Sequence, residues 1–232
     1  MSAAKAKTAS SLAQDYAPHI EGKVVLTTGV SPGTLGAVFV QAIAKSRPAL
    51  LILAGRNLAK TRETAGALEA EGVKTRTLEL DLGGSLQDVR AAAATVNGWA
   101  DVPCIDVLVN NAGVMAVDYG VSPDGHENHL ATNHLGPFLF TNLIMEKVLA
   151  SAAPRVVMVS SDGHRLCPIR FDDVNFMEGE TYNRWQAYGQ SKSANMLMAL
   201  SLAEKLGPKR KLQAYSLTPG PRGQPKSSGG SH

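Results

Sequence analysis

Residues 23–36 read KVVLTTGVSPGTLG, and this stretch decides the fold class of the chain. Its first half is a short apolar run that ends at Gly29, whereas the apolar residues from Gly33 to Lys45 recur at helical spacing. This order predicts a strand, a tight turn and a helix. Glycines at such a turn let the backbone approach a pyrophosphate, which free N–H groups at the helix N-terminus then stabilise. The stretch therefore favours a dinucleotide-binding turn over a merely flexible loop.

Apolar runs alternate with helix-spaced segments along the rest of the chain. The further predicted strands cover residues 49–54, 75–80, 105–109, 155–159 and 212–217. The further predicted helices cover residues 58–71, 86–96, 127–150 and 186–206. Because strands that alternate with helices pair in parallel, the sequence predicts an α/β fold with helices on both faces of a parallel sheet.

The composition indicates one globular domain, because a chain of 232 residues with 44% apolar content can bury one substantial core. We expect residues 1–20 to form an N-terminal extension and residues 21–220 to form the folded domain. Residues 221–232 are rich in Pro, Gly and Ser, and this composition predicts a disordered tail.

Charge and cysteine content argue against several classes of partner. The formal net charge of +3 is carried by scattered residues, so no nucleic-acid partner is expected. Cys104 and Cys167 lie far apart without CxxC spacing, as expected of free thiols in a reducing compartment. The N-terminus lacks an apolar signal segment, and no apolar run reaches membrane length. We therefore predict a soluble, cytoplasmic protein without a membrane partner.

The residues after the second strand favour NADP over NAD. An acidic residue that binds the ribose 2′-hydroxyl is expected about twenty residues past the turn, but this stretch reads Ala54-Gly55-Arg56-Asn57. Arg56, with help from Lys60 or Asn57, would pair with the 2′-phosphate of NADP. The alternative is that these residues form a solvated helix start.

Tyr188 and Lys192 stand four residues apart in the last predicted helix, so both side chains lie on one helix face. A phenol has an ordinary pKa of about 10, which a neighbouring cation lowers toward the working pH. The phenol can then give or take a proton during catalysis. Such a pair also arises by chance, so its meaning depends on the motifs around it.

Four motifs follow one another in a specific order: the TGxxxG turn at 28–33, Asp81-Leu82 after the third strand, Asn110-Asn111-Ala112-Gly113 after the fourth, and Tyr188 with Lys192. In this order they resemble the short-chain dehydrogenase/reductase family, and the similarity extends from Lys23 to Gly220. Residues 51–57, 132–138 and 159–164 look most like the branch of retinol dehydrogenases and WW-domain oxidoreductases. These segments also resemble those of fungal secondary-metabolite reductases.

The resemblance implies a Rossmann-type doubly wound sheet. It also implies hydride transfer between NADP and the carbonyl or secondary alcohol of a small hydrophobic molecule, with secondary-metabolite biosynthesis as a further expectation. The implied catalytic set is Asn133, Ser161, Tyr188 and Lys192. Ser160 is the alternative to Ser161, because successive strand side chains point to opposite faces. The expected cofactor-binding residues are Gly29, Ser31, Gly33, Leu35, Gly36, Arg56, Lys60, Asp81, Leu82, Asn110, Gly113, Tyr188 and Lys192.

The segment around Asn133 carries two further expectations. Pro137 lacks an N–H and is expected to disturb the helix around Asn133, which would free a carbonyl to hold a water for proton relay. His126, His129 and His134 lie nearby, but no cysteine or carboxylate ligand set accompanies them. We therefore predict no metal site.

The chain departs from the family pattern in two places. The third glycine of the turn is Gly36, one place later than usual, as in relatives with the same three-residue insertion. After Gly220 the family continues with a nicotinamide-binding pair, a substrate lid and a further strand, so we expect a C-terminally truncated chain without them. The alternative to an active enzyme is then a catalytically poor chain that binds nucleotide. A homodimer is a further expectation, and a sugar-nucleotide epimerase is a distant alternative.

Overall fold

The fold is a six-stranded parallel sheet covered by helices, as described for residues 7–220 in a computed structural model. The strands are β1 (Val24–Thr28), β2 (Leu50–Gly55), β3 (Thr75–Glu79), β4 (Val107–Asn110), β5 (Arg155–Val159) and β6 (Gln213–Leu217). Their order across the sheet is β3-β2-β1-β4-β5-β6, and every neighbouring pair is parallel. The strand order turns at β1, which confirms the predicted doubly wound α/β fold.

Helices connect the strands and cover both faces of the sheet. Those before β4 are α1 (Ala9–Asp15), α2 (Ala17–Ile20), α3 (Leu35–Ala44), α4 (Leu58–Glu69) and α5 (Leu86–Gly98). Those after β4 are α6 (Asn128–Leu130), a π-helix (Ala131–Leu135), α7 (Gly136–Leu143), α8 (Met145–Leu149) and α9 (Arg184–Arg210). Short 3₁₀ turns occupy Asp162–Leu166 and Met177–Gly179.

Two hydrophobic clusters lie on opposite faces of the sheet, because successive strand side chains alternate in direction. Leu26 and Ile52 point to the side of Phe140 on α7, whereas Val25 and Leu51 point to the side of Val40 on α3. All six residues of β2 are buried, as expected of a central parallel strand. Full burial of each such large side chain contributes about 1.5–3 kcal/mol to the stability of the sheet.

Two segments differ from the sequence-based expectation. Residues 127–150 were expected to form one helix, but they form α6, the π-helix, α7 and α8 in succession. A proline lies at the start of α7, after the π-helix. The backbone of Ile144 is non-helical, with φ −99° and ψ 6°, and separates α7 from α8. The second segment is α1, which lies in the expected N-terminal extension but packs on the domain. The Ser46 hydroxyl donates a 2.9 Å hydrogen bond to the carbonyl of buried Ala13 in α1. The expected tail, residues 221–232, lies outside the described residues.

Candidate active site

The glycine-rich turn after β1 packs closely against the loop after β4. Gly29 has φ +74°, and a Cβ on this residue would lie 2.8 Å from Ala112 Cα. Thr34 begins α3 as its N-cap, since its hydroxyl oxygen accepts from the Ala37 N–H at 3.2 Å and its hydroxyl donates to the Ser31 carbonyl at 2.7 Å. Glycine at position 29 is therefore required by both backbone conformation and space.

A cleft of about 360 Å³ opens at the carboxyl ends of the central strands. This is the edge where open α/β sheets bind their ligands. Seven of the expected cofactor residues line it: Gly29, Ser31, Leu35, Arg56, Asp81, Leu82 and Gly113. The remaining lining residues were not predicted: Thr28, Thr34, Gly55, Leu80, Asn111, Ala112, Val114 and Thr132. Most of these are direct neighbours of a predicted residue, so chain proximity to the motifs was a usable signal.

Asn110 does not line the cleft, which corrects the expectation from its motif. Its amide group donates to the Thr141 hydroxyl at 2.9 Å and contacts the sulfur of Met158, so the side chain points into the core. The neighbouring Asn111 faces the turn instead and donates from Nδ2 to the carbonyls of Thr28 and Gly29. The pair divides in this way because side chains at a strand end alternate between faces.

Three other expected cofactor residues also lie outside the cleft lining. Gly33, at φ +77°, shapes the turn and has open space where a Cβ would stand. Gly36 lies beneath the turn, where a Cβ would collide with the Gly29 carbonyl oxygen. Lys60 is exposed on the first turn of α4, whose N-cap Asn57 uses its side-chain oxygen to accept from the Lys60 N–H at 3.0 Å. These residues support the walls of the cleft or stand outside it.

Among the described residues, the cleft lining contains one cationic and one acidic side chain. Within residues 7–220, Arg56 is the single cationic side chain of the lining, and it is exposed. Asp81 is the single acidic one, and its Oδ1 accepts from the Gly83 N–H at 3.0 Å. An exposed guanidinium at the end of β2 is free to form bidentate hydrogen bonds with an anionic group.

Asn133 lies in the π-helix and connects the cleft wall to α9. Its Oδ1 accepts from the Val114 N–H at 2.8 Å, and its Nδ2 donates to the Val114 carbonyl at 2.9 Å. Nδ2 also lies 2.9 Å from the Ser191 hydroxyl oxygen, and that hydroxyl donates to the Tyr188 carbonyl at 2.7 Å. The helix disturbance expected near Pro137 is therefore a π-helix, a feature that is common at functional sites.

The two serines after β5 face opposite ways. The buried Ser160 hydroxyl donates to the Lys192 carbonyl at 2.9 Å. Ser161 is half-buried, and its hydroxyl oxygen accepts from the Gly163 N–H at 3.1 Å. A Cβ on Gly163 would lie 3.4 Å from Ser161 Oγ and 2.7 Å from Tyr188 Cε1, so the Ser161 hydroxyl stands on the Tyr188 side. Of the two serines, Ser161 is the one near the phenol ring.

Tyr188 and Lys192 lie side by side near the start of α9, as their spacing predicted. Lys192 is only 5% exposed, and its Nζ lies 5.5 Å from the centroid of the Tyr188 ring. The ammonium group donates to the Val159 carbonyl at 2.9 Å. Burial lowers the pKa of Lys192 to about 8, because the low-dielectric interior disfavours the charged form. Lys192 therefore carries its charge at neutral pH and loses it in mildly alkaline solution.

None of the four expected catalytic residues lines the cleft, but Asn133 and Lys192 lie directly behind its lining residues. Gly113 forms the wall between them and the open space, since a Cβ there would lie 2.8 Å from Asn133 Oδ1 and 3.5 Å from Lys192 Nζ. Substitution of this glycine would fill the approach to the catalytic groups. Among residues 7–220, no cluster of His, Cys, Asp and Glu is arranged to hold a metal ion.

Comparison with known proteins identifies similar chains. The model of the short chain dehydrogenase family matches residues 23–169. Retinol dehydrogenase 12 of Bos taurus is 38% identical over 187 residues, which cover 80% of this chain and 57% of that protein. Short-chain dehydrogenase/reductase prx1 of Penicillium rubens is 37% identical over 210 residues, covering 89% of this chain and 59% of that protein.

A solved structure extends the similarity to three dimensions. The crystal structure of an uncharacterised protein from Mycobacterium paratuberculosis is 36% identical and superposes with a TM-score of 0.75, covering 88% of this chain and 71% of that one. The curated relatives are longer: this chain spans 57% to 59% of their length in the two cases above.

Proposed function

The chain belongs to the short-chain dehydrogenase family, and from this we propose that it is an oxidoreductase that transfers a hydride between NADP and the carbonyl or secondary alcohol of a small hydrophobic molecule. One observation carries the proposal: the buried Lys192 stands beside the Tyr188 ring and directly behind Gly113, which lines the cleft.

The cleft suits a dinucleotide for physical reasons. Gly29 and Gly113 line the cleft without side chains, and α3 begins beside the cleft at Leu35. The N–H groups of a helix N-terminus stabilise a pyrophosphate. Bound there, the nicotinamide would supply or accept the hydride. Asp81 and Leu82 would flank the adenine.

Arg56 supports NADP as the nucleotide. It is the exposed cation of the cleft lining among the described residues, and it stands at the end of β2, where the ribose 2′ position is read in dinucleotide-binding folds. A guanidinium pairs with a phosphate in bidentate geometry. Lys60 is exposed one helical turn away, so it can strengthen the positive potential although it does not line the cleft.

The chain's own groups account for the proton transfer. In the reducing direction, the Tyr188 hydroxyl donates a proton to the carbonyl oxygen while the Ser161 hydroxyl donates a hydrogen bond to the same oxygen. The protonated Lys192 beside the ring favours the ionised phenol that remains. Asn133 keeps Val114 and Ser191 in place around these groups. The reverse direction returns the proton to Tyr188.

Apolar side chains near the phenol support a hydrophobic substrate. Leu166 is 54% exposed and borders α9, since a Cβ on Gly189 would lie 3.1 Å from its Cβ. Trp185 is 49% exposed and lies one turn before Tyr188 on the same helix. Met115 is also exposed and directly follows Val114, which lines the cleft. Their apolar surface would gain free energy by contact with a hydrophobic molecule.

The test is a titration of the purified chain with NADPH, followed by a panel of carbonyl compounds. We expect NADPH binding and a carbonyl-dependent loss of NADPH absorbance. Tyr188→Phe should abolish turnover and leave NADPH affinity within about twofold, because the hydroxyl acts on the reacting oxygen. Tyr215→Phe, at an exposed position on β6, is the matched control and should keep full activity.

Each other outcome of this titration rejects a stated part of the proposal. Binding without carbonyl-dependent oxidation would favour the alternative of a nucleotide-binding chain that turns nothing over. Wild-type turnover in Tyr188→Phe would remove the phenol from the mechanism. Failure to bind NADPH or NADH would contradict both functions.

Location and wider role remain predictions. In the described part of the chain, no helix is both long and apolar enough to cross a membrane. We propose a cytoplasmic protein and a place in secondary-metabolite biosynthesis, as expected from the resemblance to fungal reductases. The measurements that decide them are fractionation of the native cell and the metabolite profile of a strain that lacks the gene.

A further inference from the structure

A buried polar cluster lies against the face of the site that the proposed mechanism does not use. Glu127 and His129 are both 0% exposed, and Tyr182 closes the cluster from the segment before α9. The Glu127 carboxylate accepts from the backbone N–H groups of His129 and Leu130 at 2.9 Å each. The same carboxylate lies 2.8 Å from His129 Nδ1. Contact between these residues was not predicted from the sequence.

The hydrogen bonds of His129 determine which of its ring nitrogens carries the proton. The Val117 N–H donates to Nε2 at 3.2 Å, and because an amide N–H can only donate, Nε2 must accept. The ring proton is then on Nδ1 and is donated to Glu127. Tyr182 donates its hydroxyl to the Val117 carbonyl at 2.9 Å, which holds the loop that carries this N–H. The imidazole plane is thus fixed from both nitrogens.

The fixed imidazole packs on the proposed proton donor. The His129 and Tyr188 rings stand edge to face, with centroids 6.2 Å apart and an interplanar angle of 71°. This geometry is within the favourable range for aromatic pairs. Gly163 confines another side of the phenol ring, since a Cβ there would lie 2.7 Å from Tyr188 Cε1. Lys192 Nζ, 5.5 Å from the ring centroid, is a third neighbour.

If stability were the only requirement, apolar side chains would serve beside the Tyr188 ring at least as well as this polar cluster. A buried ionisable pair adds little stability compared with apolar side chains of the same size, whereas its hydrogen bonds restrict orientation strongly. Catalysis depends on orientation, because displacement of a reacting group by about 1 Å can cost about 100-fold in rate. The cluster therefore suits a role in the geometry of Tyr188.

We propose that His129, oriented by Glu127 and by the Val117 N–H, is a positioning residue that holds the Tyr188 ring at the angle needed for proton transfer. The inference rests on the proposed function, since it concerns the group that transfers the proton. His129 touches no reacting atom and acts through the phenol ring.

The first test is kinetic. In His129→Gln the carboxamide keeps one donor and one acceptor but removes the ring, and in His129→Phe the ring remains without its nitrogens. We expect kcat to fall about 10-fold or more in both, with the KM for NADPH and for the carbonyl changed less than about threefold. His126→Phe is the matched control, because only the backbone of His126 takes part in hydrogen bonds among the described residues. It should keep kcat.

The second test uses NMR to measure how firmly the Tyr188 ring is held, and it does not depend on turnover. In protein labelled with ¹³C at the tyrosine Cζ, which lies on the ring axis and is therefore unaffected by ring flips, the Tyr188 resonance is identified by its loss in Tyr188→Phe. We expect one sharp resonance in the wild type and in His126→Phe, and a broadened or split one in His129→Gln. A wild type that binds NADPH but oxidises none would defeat the proposed function, while the resonance would still decide the positioning role. Unchanged kcat per folded molecule, or a sharp Tyr188 resonance in His129→Gln, would overturn the inference.

Discussion

At the scale of single residues, Arg56 is the side chain that decides between the two nicotinamide dinucleotides in our proposal. It is exposed at the end of β2 and has no hydrogen-bond partner among residues 7–220, so its guanidinium is available to a phosphate. Its neighbour Gly55 also lines the cleft, which leaves room for the ribose. An acidic residue at this position would repel the 2′-phosphate and accept from a 2′-hydroxyl instead.

The prediction for Arg56 concerns cofactor preference. In Arg56→Ala we expect the Kd for NADPH to rise about 10- to 100-fold, because a hydrogen bond to a charged group contributes about 1.5–3 kcal/mol. The Kd for NADH should change little, since NADH lacks the phosphate. Arg62→Ala, at an exposed position of α4, is the control. Equal losses for both cofactors would show that Arg56 supports the fold of the cleft and does not read the phosphate.

Lys192 gives a prediction about pH. Its pKa lies at about 8 in the folded chain, below the unfolded value of 10.5, because burial disfavours the charge. Between these two values the unfolded state binds more protons, so the Lys192 contribution to the free energy of unfolding rises as pH increases from about 8 to 10.5. Below pH 8 the buried ammonium destabilises the fold by a constant amount.

The measurement is urea unfolding of the wild type and of Lys192→Met at several pH values. The difference in unfolding free energy, wild type minus variant, should increase between pH 8 and 10.5 and remain level from pH 6 to 7.5. The variant serves as the reference because it shares the other titrating groups. A difference that stays flat across the alkaline range would mean that Lys192 keeps an ordinary pKa in the folded chain.

At the scale of elements, the π-helix is the feature that the apolar periodicity could not predict. The spacing of residues 127–150 fits one helix, but α7 must begin where Gly136 meets the loop after β3. A Cβ on Gly136 would overlap the Leu82 carbonyl oxygen, so the helix backbone lies directly on the backbone of the cleft wall. The extra residue in the π-helix turns Asn133 toward Val114 within the same segment.

Two glycine substitutions test this close packing. Gly136→Ala should lower the free energy of unfolding by about 1–3 kcal/mol, because the added methyl must displace backbone. Gly66→Ala is its matched control in the exposed face of α4, where nothing lies within 4 Å of a new Cβ. It should raise stability by up to about 1 kcal/mol, since alanine is the better helix former. Equal effects of the two substitutions in thermal unfolding would contradict the close approach.

At the scale of the whole molecule, β6 and the helix α9 that packs against it both carry exposed apolar side chains. β6 is one of the two edge strands of the described sheet, and Tyr215 and Leu217 on it are exposed. The long helix α9 exposes Leu197 and Leu200 on the same surface turn, at 51% and 54%. Exposed apolar patches and open strand edges favour association with another chain.

The corresponding prediction is self-association. We expect sedimentation velocity to show a dimer that grows with concentration, in keeping with the homodimer expected from the sequence. The double substitution Leu197→Glu with Leu200→Glu should shift the protein toward monomer, because charges on both partners would then be buried together. Glu204→Gln, on a more distal turn of α9, should leave the association unchanged. A monomer at all concentrations would contradict the prediction.

The sequence by itself determined the features that depend on neighbours along the chain. The six strands are visible as apolar runs, the turn at Gly29 follows from its glycines, and Tyr188 meets Lys192 because helical geometry joins residues four apart. Such features need only local backbone geometry and hydrophobic periodicity.

Only the tertiary structure decided the features that depend on distant parts of the chain. It turned Asn110 into the core and Asn111 toward the cleft, and it brought Glu127 and Tyr182 to His129, whose ring packs on the phenol. It also buried Lys192 and thereby lowered its pKa. The physical reason is that burial, desolvation and side-chain hydrogen bonds arise from contacts between segments that the one-dimensional pattern does not relate.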